Sequence, residues 1–384
     1  MVLKKSVFIE DLEYLYGKLV KHPLFLINGA ELSRFDKLFH QTVCCIETYD
    51  DFISAASQLT CFFCDGHTNI ELPYSSEDMT INIPCYWSGD KLLLSTDYKG
   101  IERDAEIISI ANTPISNLVV HMADKIPHEN EYLVKSRMVN YPYKNYHIFS
   151  GINLQSLFGK KDRFRVSFAF QGNINTVELP LEQYNGFLDF NDTNFVHYDI
   201  VGDTAVLHLD ACICNDSYEN TLCELADICS QQNIKVLVLD LSKNMGGNSA
   251  VIDAFIKHTK TDEYRRYEMI DYSQGSAKYI TRRTDIVKNE KHPKCFDLEI
   301  HCNVSYNTFS SARTFAVTLK DNGIATKITG SPTGGKPNSF GMPQRFKTPN
   351  CELSFRVSRC LFKRPSKDGD CKIALFPDCV KVNN

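Results

Sequence analysis

An α/β core with a mostly parallel sheet, preceded by a helical unit and a β-rich module, is the fold class that three observations predict. Apolar residues recur at helical spacing through the first 65 residues. Short β-like runs take over from about 81 to 181, and strands alternate with helices from about 204 to 328. At 384 residues the chain exceeds one typical core, which agrees with two or three folding units.

Taken in order, Leu12, Leu15, Tyr16 and Leu19 mark an amphipathic helix over 8–20, stopped before Pro23. Leu32, Phe35, Leu38, Phe39 and Val43 repeat the pattern over 28–46, and Phe52, Ile53, Ala56 and Leu59 over 49–63. Asp65-Gly66-His67-Thr68 is a turn signal that runs into a strand at 69–72. Runs at 92–95, 107–110, 165–170 and 176–179 read as strands, with a helix in 118–132. The Asn-Gly and Asn-Asp pairs of 185–194 form the expected linker. Beyond it come strands at 204–210, 235–241, 296–303 and 324–328, with helices at 218–232, 249–258 and 310–321. The expected domains are therefore 1–75, 76–185 and 195–384. Ligands of parallel sheets lie beyond the carboxyl ends of the strands, which singles out the loops 242–247 and 304–310.

The composition is 43% hydrophobic and 23% charged, with a net charge of -5, so no basic face points to nucleic acid or an anionic membrane as partner. Lys4, Lys5, Glu10, Asp11 and Glu13 interrupt the first 20 residues, unlike a signal peptide, and a cytoplasmic location is expected. The 15 cysteines are odd in number and scattered, and are expected to be mostly reduced and mostly core. Cys61, Cys64 and His67 have no second ligand pair with matching spacing, so no metal is expected there. His22, His40 and His121 read as surface histidines, Cys212 and Cys214 as packing. The charged and aromatic tract 263–283 reads as a solvated edge or a groove wall.

One stretch carries chemistry. Asn307 to Ala316 is a polar loop that ends in serine and opens an apolar helix, placing Ser310 at the positive end of the helix dipole. That position suits a nucleophile and its oxyanion, and equally a plain serine N-cap. Gly246-Gly247, after the strand at 235–241, suits either close backbone approach to a ligand or a tight strand-to-helix turn.

Taken together, Asp240 to Gly247, Thr308-Phe309-Ser310-Ser311-Ala312, Asp321-Asn322-Gly323 and Thr333-Gly334-Gly335-Lys336 resemble the C-terminal (tail-specific) processing proteases and their tricorn-core relatives. The resemblance is strongest over 195–380. It implies a serine peptidase with a ClpP/crotonase-like core, a peptide or protein substrate and no cofactor. Asp65-Gly66-His67-Thr68 resembles the Asp-x-His segment of the same family, and Ala105 to Ile115 the core of its PDZ-like domains, with Ala105 and Glu106 in place of the usual glycine and aspartate. By position, Ser310 falls on the nucleophile. Gly246 or Gly247 with the Ser311 amide falls on the oxyanion hole, and Lys336 on the lysine of the Ser-Lys branch. Relatives without that lysine use a histidine, here His67, supported by an acid near the C-terminus, for which Asp368 and Asp370 are the nearest candidates.

Elementary acid-base chemistry favours His67 as the base. A lysine must lose about 3 pKa units to be half neutral at pH 7, whereas histidine needs almost no tuning. Some motif residues depart from the family: Arg313 stands where the serine motif carries glutamate, and Phe340 where many relatives carry glutamine. Two further readings share the same site, a catalytically silent peptide-binding relative and an esterase or amidase using Ser310.

Overall fold

The computed structural model describes residues 5–186 and 194–378, so most of the expected linker lies outside the described residues. The chain divides into two units, Met1–Asn191 with Pro343–Ser358, and Asp192–Met342 with Arg359–Asn384.

The first unit opens with helices Lys5–Leu19, Pro23–Ile27, Ala30–Val43 and Tyr49–Cys61. The last starts with a capping box, in which Thr48 and Asp51 satisfy each other's backbone N–H groups. Phe25, Phe35 and Phe63 form the aromatic centre of the helical layer, with ring centroids 5.2 to 5.5 Å apart. An antiparallel sheet follows, in the order Cys85–Ser88, Lys91–Leu94, Glu106–Ile110, Arg163–Phe170, Asn173–Pro180. In place of one helix over 118–132 there are two, Ile115–Ala123 and Glu131–Asn140. Pro127, which removes a helical donor, lies between them.

One segment of the first unit comes from far along the chain. The hairpin Gln344–Lys347 and Ser354–Val357 pairs antiparallel with Asn69–Glu71. The buried Asp11 carboxylate accepts the N–H groups of Asn350 at 2.9 Å and Cys351 at 2.6 Å, fastening this hairpin to the first helix.

The second unit is built on a five-stranded sheet, Val196–Val201, Thr204–Leu209, Val236–Asp240, Glu299–Val304 and Lys327–Gly330. The first pair is antiparallel and the remaining neighbours are parallel. Helices Asp216–Gln231, Ala250–Lys257 and Ser311–Asp321 make the crossovers that parallel pairing requires. Leu207, Leu209, Leu237 and Leu239 alternate along their strands into the core, where Phe255, Phe315 and Leu319 of the helices cover them. Each such side chain contributes about 1.5–3 kcal/mol on burial. A second, antiparallel sheet, in the order Lys278–Thr281, Glu268–Asp271, Cys360–Lys363, Ser339–Gly341, occupies the tract read as an edge or groove wall.

Two expectations about side chains need correction. His22 is fully buried, because its ring caps the helix at Leu24 and contacts the Asp65 carboxylate at 3.2 Å. Cysteines are not mostly core: Cys212, Cys229, Cys302 and Cys360 are buried, whereas Cys44, Cys45, Cys64 and Cys371 are exposed. Among the described residues none forms a disulfide. No described helix is long and apolar enough to cross a membrane.

Candidate active site

Ser310 immediately precedes the helix Ser311–Asp321, at φ 53° and ψ -126°. A side chain rarely adopts that conformation, which costs about 1–3 kcal/mol and persists only where the surroundings impose it. Its hydroxyl makes no cap hydrogen bond to the helix, so the plain N-cap reading fails.

Two loops impose the conformation. Thr308 donates its hydroxyl to the carbonyl of Leu241 at 2.8 Å, Ser305 to that of Ser242, and the Phe309 amide to that of Asn244 at 3.2 Å. The glycine loop is thereby laid against the serine turn. Gly246, at φ 110°, packs so closely that an added Cβ would stand 2.6 Å from the Ser310 Cβ and 3.2 Å from its Oγ. Gly247, at φ 138°, lies against the backbone carbonyl of Cys212 with no room for a Cβ. Both positions require glycine, one because it packs against Ser310 and one because it packs against the Cys212 carbonyl.

Asn244 holds this loop from within the core. It is fully buried, donates to the carbonyl of Leu209 at 2.7 Å and accepts the Gly246 N–H at 2.9 Å. The Gly246 amide is therefore engaged. Among the described residues, the N–H groups of Gly247 and Ser311 have no acceptor. Ser311 also donates its hydroxyl to the Gly247 carbonyl at 2.7 Å, tying the glycine loop to the helix start. Two unengaged amides, one at the helix start after Ser310 and one on the glycine loop beside Gly246, are donors of the kind that can receive an oxyanion.

Lys336 belongs to the same unit. Its loop is fastened to the serine helix by the buried Arg313, which donates to the Lys336 carbonyl at 2.6 Å and to the Ser339 hydroxyl at 2.8 Å, and by the Gly334 amide, which donates to Thr308. The arginine at the motif's glutamate position thus has a structural task. A cavity of about 240 Å³, lined by Ile252, Tyr267, Met269, Thr314, Thr318 and Phe362, flanks the same helix. Thr314 reaches back to the Ser310 carbonyl at 3.1 Å.

His67 lies in the first unit. Its Nδ1 is 3.5 Å from Asp65 Oδ1 and 3.9 Å from Glu129 Oε1, with both carboxylates buried. Burial alone would raise the Asp65 carboxyl, but hydrogen bonds from His22 and His67 outweigh it and hold the group well below the usual carboxylate range. Arg137, itself buried, donates to the carbonyls of Pro127 at 2.7 Å and Gly66 at 2.6 Å. It thereby fastens the loop carrying Glu129 to the one carrying His67. Sequence reasoning passed over Glu129, since nothing local marks a glutamate at a helix entrance 62 positions after its histidine.

Asp370, one of the two acids proposed near the C-terminus, forms a bidentate pair with Arg283 at 2.7 and 2.8 Å and accepts from Asn338 at 2.9 Å. Asp368 is exposed on a short 3-10 turn, Lys367–Gly369. Cys61 and Cys64 join no cluster with metal-ligand geometry among the described residues. Burial pushes the Cys61 thiol up, and Cys64 points to solvent.

Residues 203–364 match the model of peptidase family S41. The fold is similar to that of mature CPAF in complex with lactacystin, with 13% identity, a TM-score of 0.69, and 97% of this chain and 93% of that one covered. It is also similar to the photosystem II D1 C-terminal processing protease, with 15% identity, a TM-score of 0.50, and 99% and 93% covered. No curated protein sequence matches the chain. Identities this low establish the fold, whereas the family match covers the strands, glycine loop and serine helix that build the site. The match to peptidase family S41 thus spans residues 203–364, and it supports a serine-type peptidase, a hydrolase, as the class of enzyme.

Proposed function

We propose that the protein is an endopeptidase of the C-terminal processing type that cleaves peptide bonds through an acyl-enzyme on Ser310. The observation that carries this reading is the strained Ser310, pressed against Gly246 of a loop whose Gly247 amide, like that of Ser311, is unengaged. Ser310 Oγ attacks the scissile carbonyl, and the two amides hold the oxyanion. Collapse of the tetrahedral intermediate expels the amine, and water then releases the acyl group.

His67 is the proposed general base, with Lys336 the alternative. Two buried carboxylates beside the imidazole support the choice, because they would stabilise its protonated form during attack. In this reading Glu129 and Asp65, rather than Asp368 or Asp370, are positioning residues. The cavity beside Thr314 and Thr318 suits an apolar side chain of the substrate. The sheet of 85–180 is the proposed degenerate PDZ-like module.

A fluorophosphonate serine probe followed by peptide mapping tests the proposal. Modification is expected at Ser310, absent in Ser310→Ala, lost in His67→Ala and retained in Lys336→Ala. Loss in the lysine variant alone would reverse the choice of base. A folded wild type that does not react would favour the silent peptide-binding reading.

A further inference from the structure

A second cluster of reactive side chains lies in the second unit, apart from Ser310 and its loops. Cys223 on the helix Asp216–Gln231, His258 at the end of the helix Ala250–Lys257, and His292 on the loop between the strands Ile286–Lys288 and Glu299–Val304 bring one ligand atom each to within 4.8 Å of one another. Cys223 Sγ is 4.0 Å from His292 Nε2, and the two imidazole centroids are 4.4 Å apart. We propose that these three residues bind a zinc ion, with water as the fourth ligand.

The surroundings hold the three groups in place. His258 is buried and donates its Nδ1 proton to the Lys294 carbonyl at 2.7 Å, which leaves the Nε2 lone pair for a metal, the outer-shell arrangement common to histidine ligands. The loop that carries His292 is bonded along the end of the neighbouring helix: its amide donates to the Lys257 carbonyl at 2.8 Å, and that of Phe296 to the His258 carbonyl at 2.7 Å. Asn289 adds bonds to the carbonyls of Ile256 at 2.9 Å and Thr261 at 2.8 Å. Lys294 then reaches Asp227, one turn beyond Cys223, at 2.5 Å. Loop and both helices are thus joined around the cluster, while Cys223 and His292 are only half-buried and leave an ion a way in.

The donor set selects the metal. One thiolate and two imidazoles suit zinc, which takes tetrahedral nitrogen and sulfur ligands. Tetrahedral coordination with ordinary bond lengths separates sulfur from nitrogen by about 3.6 Å, so Cys223 and His292 need to close by only a few tenths of an ångström. Binding forms a zinc–sulfur bond as the Cys223 thiol releases its proton to solvent. His292 now accepts the Lys294 amide at Nδ1, 3.2 Å away. Ligation through Nε2 moves its proton to Nδ1, and that long hydrogen bond is given up.

Cobalt(II), a spectroscopic stand-in for zinc, tests the site on the full chain after treatment with chelator. One equivalent is expected to bind with a near-ultraviolet thiolate-to-cobalt band that zinc abolishes. Cys223→Ser should lose the band. His258→Gln and His292→Gln should weaken binding by more than the about 10–100-fold that loss of an outer-shell partner costs. His67→Ala should leave the band unchanged, which separates this cluster from Asp65, His67 and Glu129. Thermal unfolding followed by circular dichroism confirms that each variant is folded, and the loop variant His292→Gln is the least disruptive. A folded wild type without the band, or a band that survives in Cys223→Ser, overturns the proposal.

Discussion

Asn244 and Gly246 show how much of the site rests on single side chains, or on the lack of one. The Asn244 amide satisfies two backbone groups of different segments inside the core. Asn244→Ala leaves the Leu209 carbonyl buried without that donor and frees the glycine loop. We expect a loss of about 2–3 kcal/mol in denaturant unfolding, with slower labelling of Ser310. Gly246→Ala acts differently. Its Cβ would meet the Ser310 Cβ at 2.6 Å in a backbone conformation that alanine resists, so either the serine or the loop must shift. Labelling at Ser310 is expected to slow by about 10²–10³-fold, the scale of losing one oxyanion donor, while the circular dichroism spectrum stays that of the wild type. A Gly246→Ala protein that labels at the normal rate would contradict the close packing.

At the scale of elements, the serine helix is the part to which the others are fastened. Its first turn holds the glycine loop through Ser311, and Arg313 holds the Lys336 loop. Arg313→Met keeps most of the buried volume but removes both charge-assisted bonds, each worth about 1.5–3 kcal/mol. We expect a lower melting temperature and proteolytic nicking within 333–339. If Lys336 is the base, labelling should fall as far as in Lys336→Ala; if His67 is, it should fall only partly. The strand Val236–Asp240 ends on a similar device, its terminal carboxylate accepting the Ser242 amide at 2.9 Å and the Asn303 side chain at 2.9 Å. Those bonds outweigh the opposing effect of burial and hold the Asp240 carboxyl below its usual range.

At the scale of the whole molecule, acid should loosen the first unit before it protonates most carboxylates. Burial pulls the pKa of His147 down to about 3, so the folded protein keeps this imidazole neutral. An unfolded chain takes up the proton below about pH 6.5. Stability is therefore complete above that pH and declines as pH falls toward the folded value, by about 2 kcal/mol at pH 5. His147→Gln should remove this part of the slope, which urea unfolding at pH 7 and pH 5 would show. Chain connectivity makes a second prediction. The first unit needs 343–358 to pair with Asn69–Glu71 and to satisfy Asp11. A fragment of residues 1–191 should therefore lack a cooperative thermal transition that the intact chain shows, and a cooperative fragment would overturn this expectation.

Local sequence determined a good deal of this protein. Helical spacing placed Lys5–Leu19, Ala30–Val43 and Tyr49–Cys61, and alternation placed the strands and crossover helices on which Gly246, Gly247 and Ser310 are carried. Such patterns are legible because they report which face of one element is buried. Tertiary structure decided the rest. Nothing near Gly246 in the chain announces that its amide is taken by Asn244 and that Gly247 is left to donate. Nothing near Glu129 announces His67, and the hairpin 344–357 has its partner almost 300 residues away. These are relations between groups distant in sequence, and only the packing that brings their backbones together fixes which donor meets which acceptor.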